Sequence, residues 1–288
     1  MKPNFFILGA PKCGTTSLAR WLETHPNVYF SPVKEPHYFS TDLSNRVIKT
    51  EADYRRLFEG AGPEHLAIGE ASTWYLYSQD AVANILRVAP EARFVVMTRN
   101  PVDMAWSLHH HNLRVLHEDE PDFARAWALQ GARRNGSNIP PDCSEPAFLQ
   151  YLDACALGAQ IARLLAQVPA ERVLHLSLDQ VRAAPARSYR TVLDFLSLPD
   201  DERTEFPVSN VARGHRSPVM QRLLKHGARL RLALGIQRGF GLARLNEKAK
   251  AKQAMDPALR KRLEEAFAED VALRDAQLRE LAELRERL

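Results

Sequence analysis

The segment FFILGAPKCGTTSL, Phe5 to Leu18, runs a short apolar stretch into a loop bearing Gly9 and Gly14 and then into Thr15, Thr16 and Ser17. Apolar strand, glycine loop and hydroxyl-rich helix start form the layout of a phosphate cradle, because the first-turn N–H groups and the helix dipole both favour an anion. A loop built for a nucleoside triphosphate reads G-x-x-x-x-G-K-[ST]. Here Gly9, Gly14 and Thr16 keep that spacing, but Thr15 stands at the lysine position and the positive charge sits earlier, at Lys12. The displaced lysine predicts an anionic ligand whose charge is neutralised elsewhere than at the usual beta and gamma phosphates.

A second segment, ARFVVMTRNPVDMAWSL, reads as a buried strand over Phe94 to Thr98, a turn at Asn100-Pro101 and a helix from about Val102. In magnesium-dependent enzymes with a phosphate loop, the comparable strand ends near a metal-holding aspartate. This one delivers Arg99. A fixed cation in that place predicts direct binding of a further phosphate without a divalent ion. Ser107, two turns along the helix, is placed to add a hydroxyl to the same group.

These two segments resemble the nucleotide-binding elements of the sulfotransferases that use 3'-phosphoadenosine 5'-phosphosulfate (PAPS). The resemblance implies that the loop PKCGTTSL, with Lys12, Cys13, Gly14, Thr15, Thr16 and Ser17, binds the 5'-phosphosulfate, and that Arg99 and Ser107 bind the 3'-phosphate. A third segment, SPVKEPHYFS, is similar to the acceptor-side motif of the heparan sulfate and related carbohydrate sulfotransferases, which implies Glu35 as catalytic base with His37 and Lys34 beside it. A fourth, GEASTWYLYS from Gly69, resembles the family's G-E-x-[ST]-P-x-Y segment, with Trp74 where proline is common; Glu70 there is expected to do no more than anchor the neighbouring loop. KAKAKQAMDP resembles a basic cofactor-binding segment of the glycosaminoglycan enzymes, which offers Lys248 and Lys250 as ligands of the 3'-phosphate, although Ala249 and Lys250 depart from its glycine and arginine.

The chemistry then follows from what sulfuryl transfer requires. Lys12 would neutralise charge appearing on the bridging phosphate oxygen, and Glu35 would take the acceptor's proton, its basicity raised by shelter from water. His37 joins Lys12 and Glu35 in the catalytic set. No metal is called for. His109, His110 and His111 do not form a metal site, since adjacent helical residues point about 100° apart; a structural or groove-lining role is expected.

To hold these residues the chain must alternate strands and helices. Strands are predicted near Phe5–Leu8, Ala67–Gly69, Phe94–Met97 and Val173–Leu176, and helices near Thr16–Thr24, Ser78–Val88, Val102–His111, Phe148–Gln167 and Pro185–Leu196. This is an α/β pattern, a P-loop-like three-layer fold with a central parallel sheet flanked by helices and ligands at the carboxyl ends of the strands. The polar segment His117 to Glu145 reads as an irregular excursion beside the acceptor groove. Residues 1–288 are expected to form a single domain, with a nucleotide-binding core over about 1–200 and a basic flap and C-terminal helices over about 210–288. Leu259, Leu263, Phe267 and Val271, spaced by four, predict a tail helix or helix pair packed on the core.

Composition agrees: 288 residues, 45% hydrophobic and 26% charged, can bury a large core. No apolar run reaches the length of a membrane span, and no signal peptide is recognised, so a cytoplasmic location with reduced Cys13, Cys143 and Cys155 is expected, the alternative being a Cys143–Cys155 disulfide. Between Arg213 and Lys252 lie eleven Lys or Arg and one acidic residue, Glu247, while the whole chain carries a net charge of only +4. This stretch reads as a cofactor wall, a track for an anionic glycan or lipid head group, or a solvated face; the mixture of Leu, Ile and Phe with arginines over residues 219–245 would suit peripheral membrane contact or a flap.

The reading is therefore a PAPS-dependent transfer of a sulfuryl group to a hydroxyl, or less readily an amine, of a carbohydrate or glycolipid, with 3'-phosphoadenosine 5'-phosphate (PAP) as product. The alternatives are a nucleotide-dependent kinase on the same loop architecture and a small-metabolite sulfotransferase. No recognised nucleic-acid module is present, so no nucleic-acid partner is expected.

Overall fold

The computed structural model describes residues 1–208, 213–215, 247–249 and 254–287. Five parallel strands form one sheet: β1 (Phe5–Gly9), β2 (Val28–Phe30), β3 (Ala67–Ala71), β4 (Arg93–Thr98) and β5 (Val173–Ser177), in the spatial order β2-β3-β1-β4-β5. The predicted α/β fold is thus observed. β1 is buried along its whole length, which explains why its sequence is uniformly apolar rather than alternating. Phe6 stacks on Phe94 of the neighbouring strand at 6.0 Å between ring centroids. The three residues of β2 carry too little periodicity to be read from sequence.

From β1 the chain crosses to one side of the sheet, and from β3 it passes to the other side of β1 to make β4. The direction of winding therefore reverses between β1 and β4, and such a switch leaves a crevice at the carboxyl ends of those strands. Two helices open on it: α1 (Thr15–Glu23) after β1, and α4 (Pro101–Val115) after β4. Asn100 caps α4 by accepting from the amides of Val102 and Asp103 at 3.0 and 3.2 Å, with Pro101 at the first helical position. That helix continues four residues beyond the expected His111.

The helix expected over Phe148–Gln167 is broken into a 3-10 turn (Pro146–Leu149), α7 (Tyr151–Cys155) and α8 (Leu157–Leu165). The cause is tertiary. Asp270, from the C-terminal helix α11 (Pro257–Arg287), accepts from the amides of Gly158 and Ala159 at 2.9 and 2.8 Å, so a carboxylate distant in sequence caps α8 and replaces the bonds of a continuous helix. A side chain on Gly158 would place its Cβ 2.3 Å from the Asp270 carbonyl oxygen. The tail is one helix; it buries Leu263, Phe267 and Leu281 against the body, as its spacing predicts.

The region His117–Glu145, expected to be irregular, instead contains two short helices, α5 (Phe123–Ala128) and α6 (Gln130–Arg134). Both are organised by a buried bidentate pair. Arg133 donates to the two oxygens of Glu118 at 2.6 Å each, Tyr151 adds a hydroxyl at 2.8 Å, and neither charged side chain has any exposed surface. Burial pushes the Glu118 carboxyl up, but hydrogen bonds from Arg133, the Glu120 amide and Tyr151, with the Arg133 charge, together hold it below its usual value. Cys13, Cys143 and Cys155 are all free thiols, so the alternative disulfide is not formed.

Of the basic stretch, only two short antiparallel strands belong to the described residues, Arg213–His215 and Glu247–Ala249, with Gly214 opposite Lys248. Lys250 and the 219–245 segment lie outside the described residues. Among those described, no helix is long and apolar enough to cross a membrane.

Candidate active site

The donor-side loop begins where β1 ends. Gly9 has φ +130°, and a Cβ there would lie 2.3 Å from the Thr73 carbonyl oxygen, so only glycine fits. The Ala10 amide donates to the Met97 carbonyl at 2.7 Å and ties the loop to β4. Gly14, at φ +90°, stands at the N-cap of α1, where a Cβ would meet Leu178 at 2.7 Å. Among the described residues no side chain caps this helix, and no acidic residue lies in its first turn, so its positive end is open to an anion.

Lys12 emerges from this loop half-buried, with φ 65° in the left-handed region. Its ammonium pKa is lowered from the ordinary lysine value, chiefly by burial, then by the positive charges of Arg114 and Arg99, with Glu35 acting in the opposite direction. Arg99 follows β4 directly and donates weakly to the Lys12 carbonyl at 3.5 Å. Asp103, its nearest acidic neighbour in sequence, is taken by Arg260 at 2.6 Å. Thr16 and Ser17 are half-buried at the start of α1, and Ser107 is half-buried on α4. The side chains of Cys13 and Thr15 turn into the core instead. Cys13 Sγ lies 3.8 Å from Met104 Sδ, its amide donates to the Ala10 carbonyl at 3.3 Å, and burial pushes its thiol up to about 12, so it serves the loop's packing and is no nucleophile.

The acceptor-side loop follows β2. Glu35 and His37 both adopt left-handed backbone, φ 52° and 50°, a conformation that costs non-glycine residues about 1–3 kcal/mol each. Glu35 is partly exposed, with Lys34 Nζ at 3.7 Å and His37 Nε2 at 3.5 Å. Its pKa is lowered, which corrects the expected rise. Burial does push it up and is the largest single influence, but the His37 contact, Lys34 and His111 together outweigh it. The His37 ring is buried, and among the described residues its Nδ1 has no hydrogen-bond partner.

A match to the sulfotransferase domain family spans residues 2–274. The chain belongs to that family. The sulfotransferase from Alicyclobacillus acidocaldarius has a similar structure, with a TM-score of 0.73, 28% identity, and coverage of 97% of this chain and 96% of that one. Among curated relatives, carbohydrate sulfotransferase 15 of Mus musculus is 29% identical over 147 residues, 36% of this chain and 26% of its own length. Heparan sulfate glucosamine 3-O-sulfotransferase 3B1 of the same species is 27% identical over 196 residues, 68% of this chain and 46% of its own length. Its similarity to this sulfotransferase-family chain therefore covers less than half of that relative.

Arg114 was not singled out from sequence, and His111 was expected only in a structural or groove-lining role. His111 and Arg114 lie on the same face of α4 as Ser107, spaced by four and three, and Arg114 Nη2 is 3.2 Å from His111 Nδ1. Burial, followed by the charges of Lys12 and Arg114, depresses the His111 pKa to about 3, so its imidazole is neutral near pH 7. The helical spacing from Ser107 was the available signal, masked by the run of three histidines. His109 and His110 turn elsewhere, their rings meeting the carbonyls of Glu120 and Trp106 at 2.8 and 2.9 Å. Trp74 stacks on Phe148 at 3.9 Å and belongs to the core.

Proposed function

We propose that this chain transfers a sulfuryl group from PAPS to a hydroxyl, or less readily an amine, of a carbohydrate or glycolipid acceptor, releasing PAP. The observation that carries the reading is the meeting of two loops from separate strands, so that Lys12 and Glu35 lie within electrostatic reach of each other at one end of the sheet. The donor set suits the ligand: a helix start without a side-chain cap among the described residues, glycines at two positive-φ positions, Lys12 and Arg99 would present positive charge and N–H groups to phosphate oxygens.

PAPS supplies the sulfuryl group. The first turn of α1, with Thr16 and Ser17, would hold the 5'-phosphate, and Arg99 with Ser107 would hold the 3'-phosphate; Lys248, whose backbone lies in a β-strand, is offered as a further ligand of it. Lys12 would neutralise negative charge on the bridging phosphate oxygen of the departing group. Glu35 would take the proton of the acceptor hydroxyl, and His37 stands beside that carboxylate, where it would orient it. Binding a polyanion next to Lys12 offsets part of the positive field that holds Glu35 acidic, and so moves its pKa towards that of a working base. His111, kept neutral, offers an uncharged polar wall to the acceptor. The carbohydrate class rests on the KEPHYF segment and the names of the relatives. Residues 1–288 would act as one catalytic unit in the cytoplasm, with residues 219–245 as its membrane-facing or acceptor-facing surface.

Calorimetric titration with PAP, ADP and ATP, each with and without magnesium, tests the donor site. Metal-independent binding that needs the 3'-phosphate is expected. A preference for ATP with magnesium would overturn the reading in favour of a kinase.

A further inference from the structure

Glu70, at the end of β3, has no exposed surface and is ringed by hydroxyls. Tyr54 and Tyr75 donate to its Oε1 at 2.8 and 3.0 Å, and Ser72 donates to its Oε2 at 2.7 Å. Each hydroxyl has a single proton, and all three are committed to Glu70, so the ring is complete only when the carboxyl itself carries none. Burial raises the Glu70 pKa; these hydrogen bonds, and the nearby His37, oppose it.

Two of the three hydroxyls have a second task. Ser72 Oγ accepts from the His37 amide at 3.1 Å, and Tyr75 Oη accepts from the Phe39 amide at 3.3 Å. Both amides belong to the loop that carries Glu35, and they lie two residues apart, on either side of Tyr38. A hydroxyl whose proton is drawn to a carboxylate presents its lone pairs in a fixed direction and accepts more strongly. The left-handed backbone at Glu35 and His37 is unfavourable by itself and persists only where surrounding structure over-determines it.

We propose that Glu70 is a positioning residue for sulfuryl transfer: through Ser72 and Tyr75 it clamps the His37 and Phe39 amides and so fixes where Glu35 points. The inference rests on the reading of Glu35 as base. Glu70 touches no substrate; it acts through two relays that leave the donor loop alone. Tyr54, which bonds Glu70 but no amide of the loop, completes the carboxylate's hydrogen bonding and stacks on Tyr38 at 4.5 Å.

The test compares Glu70→Gln, Ser72→Ala, Tyr75→Phe and Glu35→Gln in the full chain, with Leu193→Ala as a cavity variant in α10 (Pro185–Leu196), buried away from both loops. Three quantities are measured: amide hydrogen exchange of His37 and Phe39 resolved by NMR, PAP affinity by calorimetry, and sulfuryl transfer from PAPS to desulfated heparan sulfate. Glu70→Gln places an amide N–H₂ among hydroxyl donors and should speed exchange at both amides at least 10-fold, lower kcat by roughly 10- to 100-fold and change PAP affinity by less than 2-fold. Ser72→Ala should speed exchange chiefly at His37 and Tyr75→Phe chiefly at Phe39. Leu193→Ala should lower the melting temperature without changing either local exchange pattern or kcat where it is folded.

Unchanged exchange at both amides in Glu70→Gln overturns the clamp. So does a loss of PAP affinity in step with kcat, which would mark Glu70 as a general structural residue. If Glu70→Gln does not fold, the residue-specific exchange in Ser72→Ala and Tyr75→Phe decides the matter. Wild-type kcat in Glu35→Gln would remove the base assignment while leaving the exchange result to stand or fall separately.

Discussion

The donor-side loop after β1 and the acceptor-side loop after β2 lie at the same end of the sheet but are held in shape differently. The donor loop is shaped largely from within. Gly9 and Gly14 supply two of its three positive φ values, Lys12 the third, α1 supplies the amides, and the Ala10 amide, Cys13 and the Lys12 carbonyl tie it to Met97, Met104 and Arg99. The acceptor loop has no glycine between Ser31 and Phe39, yet Glu35 and His37 take left-handed backbone, and what holds them comes from β3 and the turn after it: Ser72, Tyr75 and, beneath both, Glu70. A phosphate cradle has one recurrent shape and can be written into eight consecutive residues. A base that must meet a particular acceptor is aimed by its surroundings.

The comparison is broken most directly at Glu35. Glu35→Gln should bind PAP as the wild type does and lower kcat by ~10²–10⁴-fold, the usual size of a lost general base. Retained turnover, measured with PAPS and desulfated heparan sulfate, would move the base elsewhere and leave the acceptor loop without its proposed task.

Within the donor region, Lys12 and Arg99 should separate. Lys12→Ala should lower kcat by ~10²–10³-fold with a smaller effect on PAP affinity, because its charge meets one that grows only as the S–O bond breaks. Arg99→Ala should weaken PAP binding roughly 10- to 100-fold, the equivalent of one or two charge-assisted hydrogen bonds at ~1.5–3 kcal/mol. Calorimetry beside steady-state kinetics distinguishes them, and reversed phenotypes would exchange their roles.

The smallest effect is in the pH profile, where each region contributes one limb. On the proposed mechanism activity needs Glu35 ionised, so it should be lost as pH falls through a pKa that His37 and Lys34, against burial, hold below the usual glutamate value of 4.5. It also needs Lys12 protonated, so it should be lost as pH rises through a pKa that burial and Arg114 hold below the usual 10.5. The kcat/KM profile, which reports the free enzyme, should therefore have both limbs displaced to lower pH than ordinary Glu and Lys would give. Lys12→Arg should move the alkaline limb up and leave the acid limb where it is. Movement of the acid limb alone would mean that the two limbs are assigned the wrong way round.

Legibility follows the same division. The run of apolar residues in β1 and β4, the glycines at 9 and 14, and the Asn100-Pro101 helix start were readable because each is enforced within a few residues by sterics or by unsatisfied amides. The helices at 123–128 and 130–134 were not, because Glu118 and Arg133 are fifteen residues apart and look like surface charges until Tyr151 and the fold bury them together. The break at Ala156 was hidden for the same reason, its cause being Asp270 more than a hundred residues away. Cys13 belongs to the loop motif by position, but only the packing of Met104 shows that its side chain faces inward.

By itself, the sequence determined the parallel sheet, the glycine loop after β1, the cation after β4 and the segment that carries Glu35, since local sterics, periodicity and charge leave few other ways to arrange those residues. Tertiary structure alone decided that Glu35 is held acidic rather than basic, that His111 and Arg114 join Lys12, and that Glu70 secures the acceptor loop. Each of these depends on burial and on charges brought together from distant parts of the chain, and the energy of a charge or a hydrogen bond is set by its surroundings rather than by its neighbours in sequence.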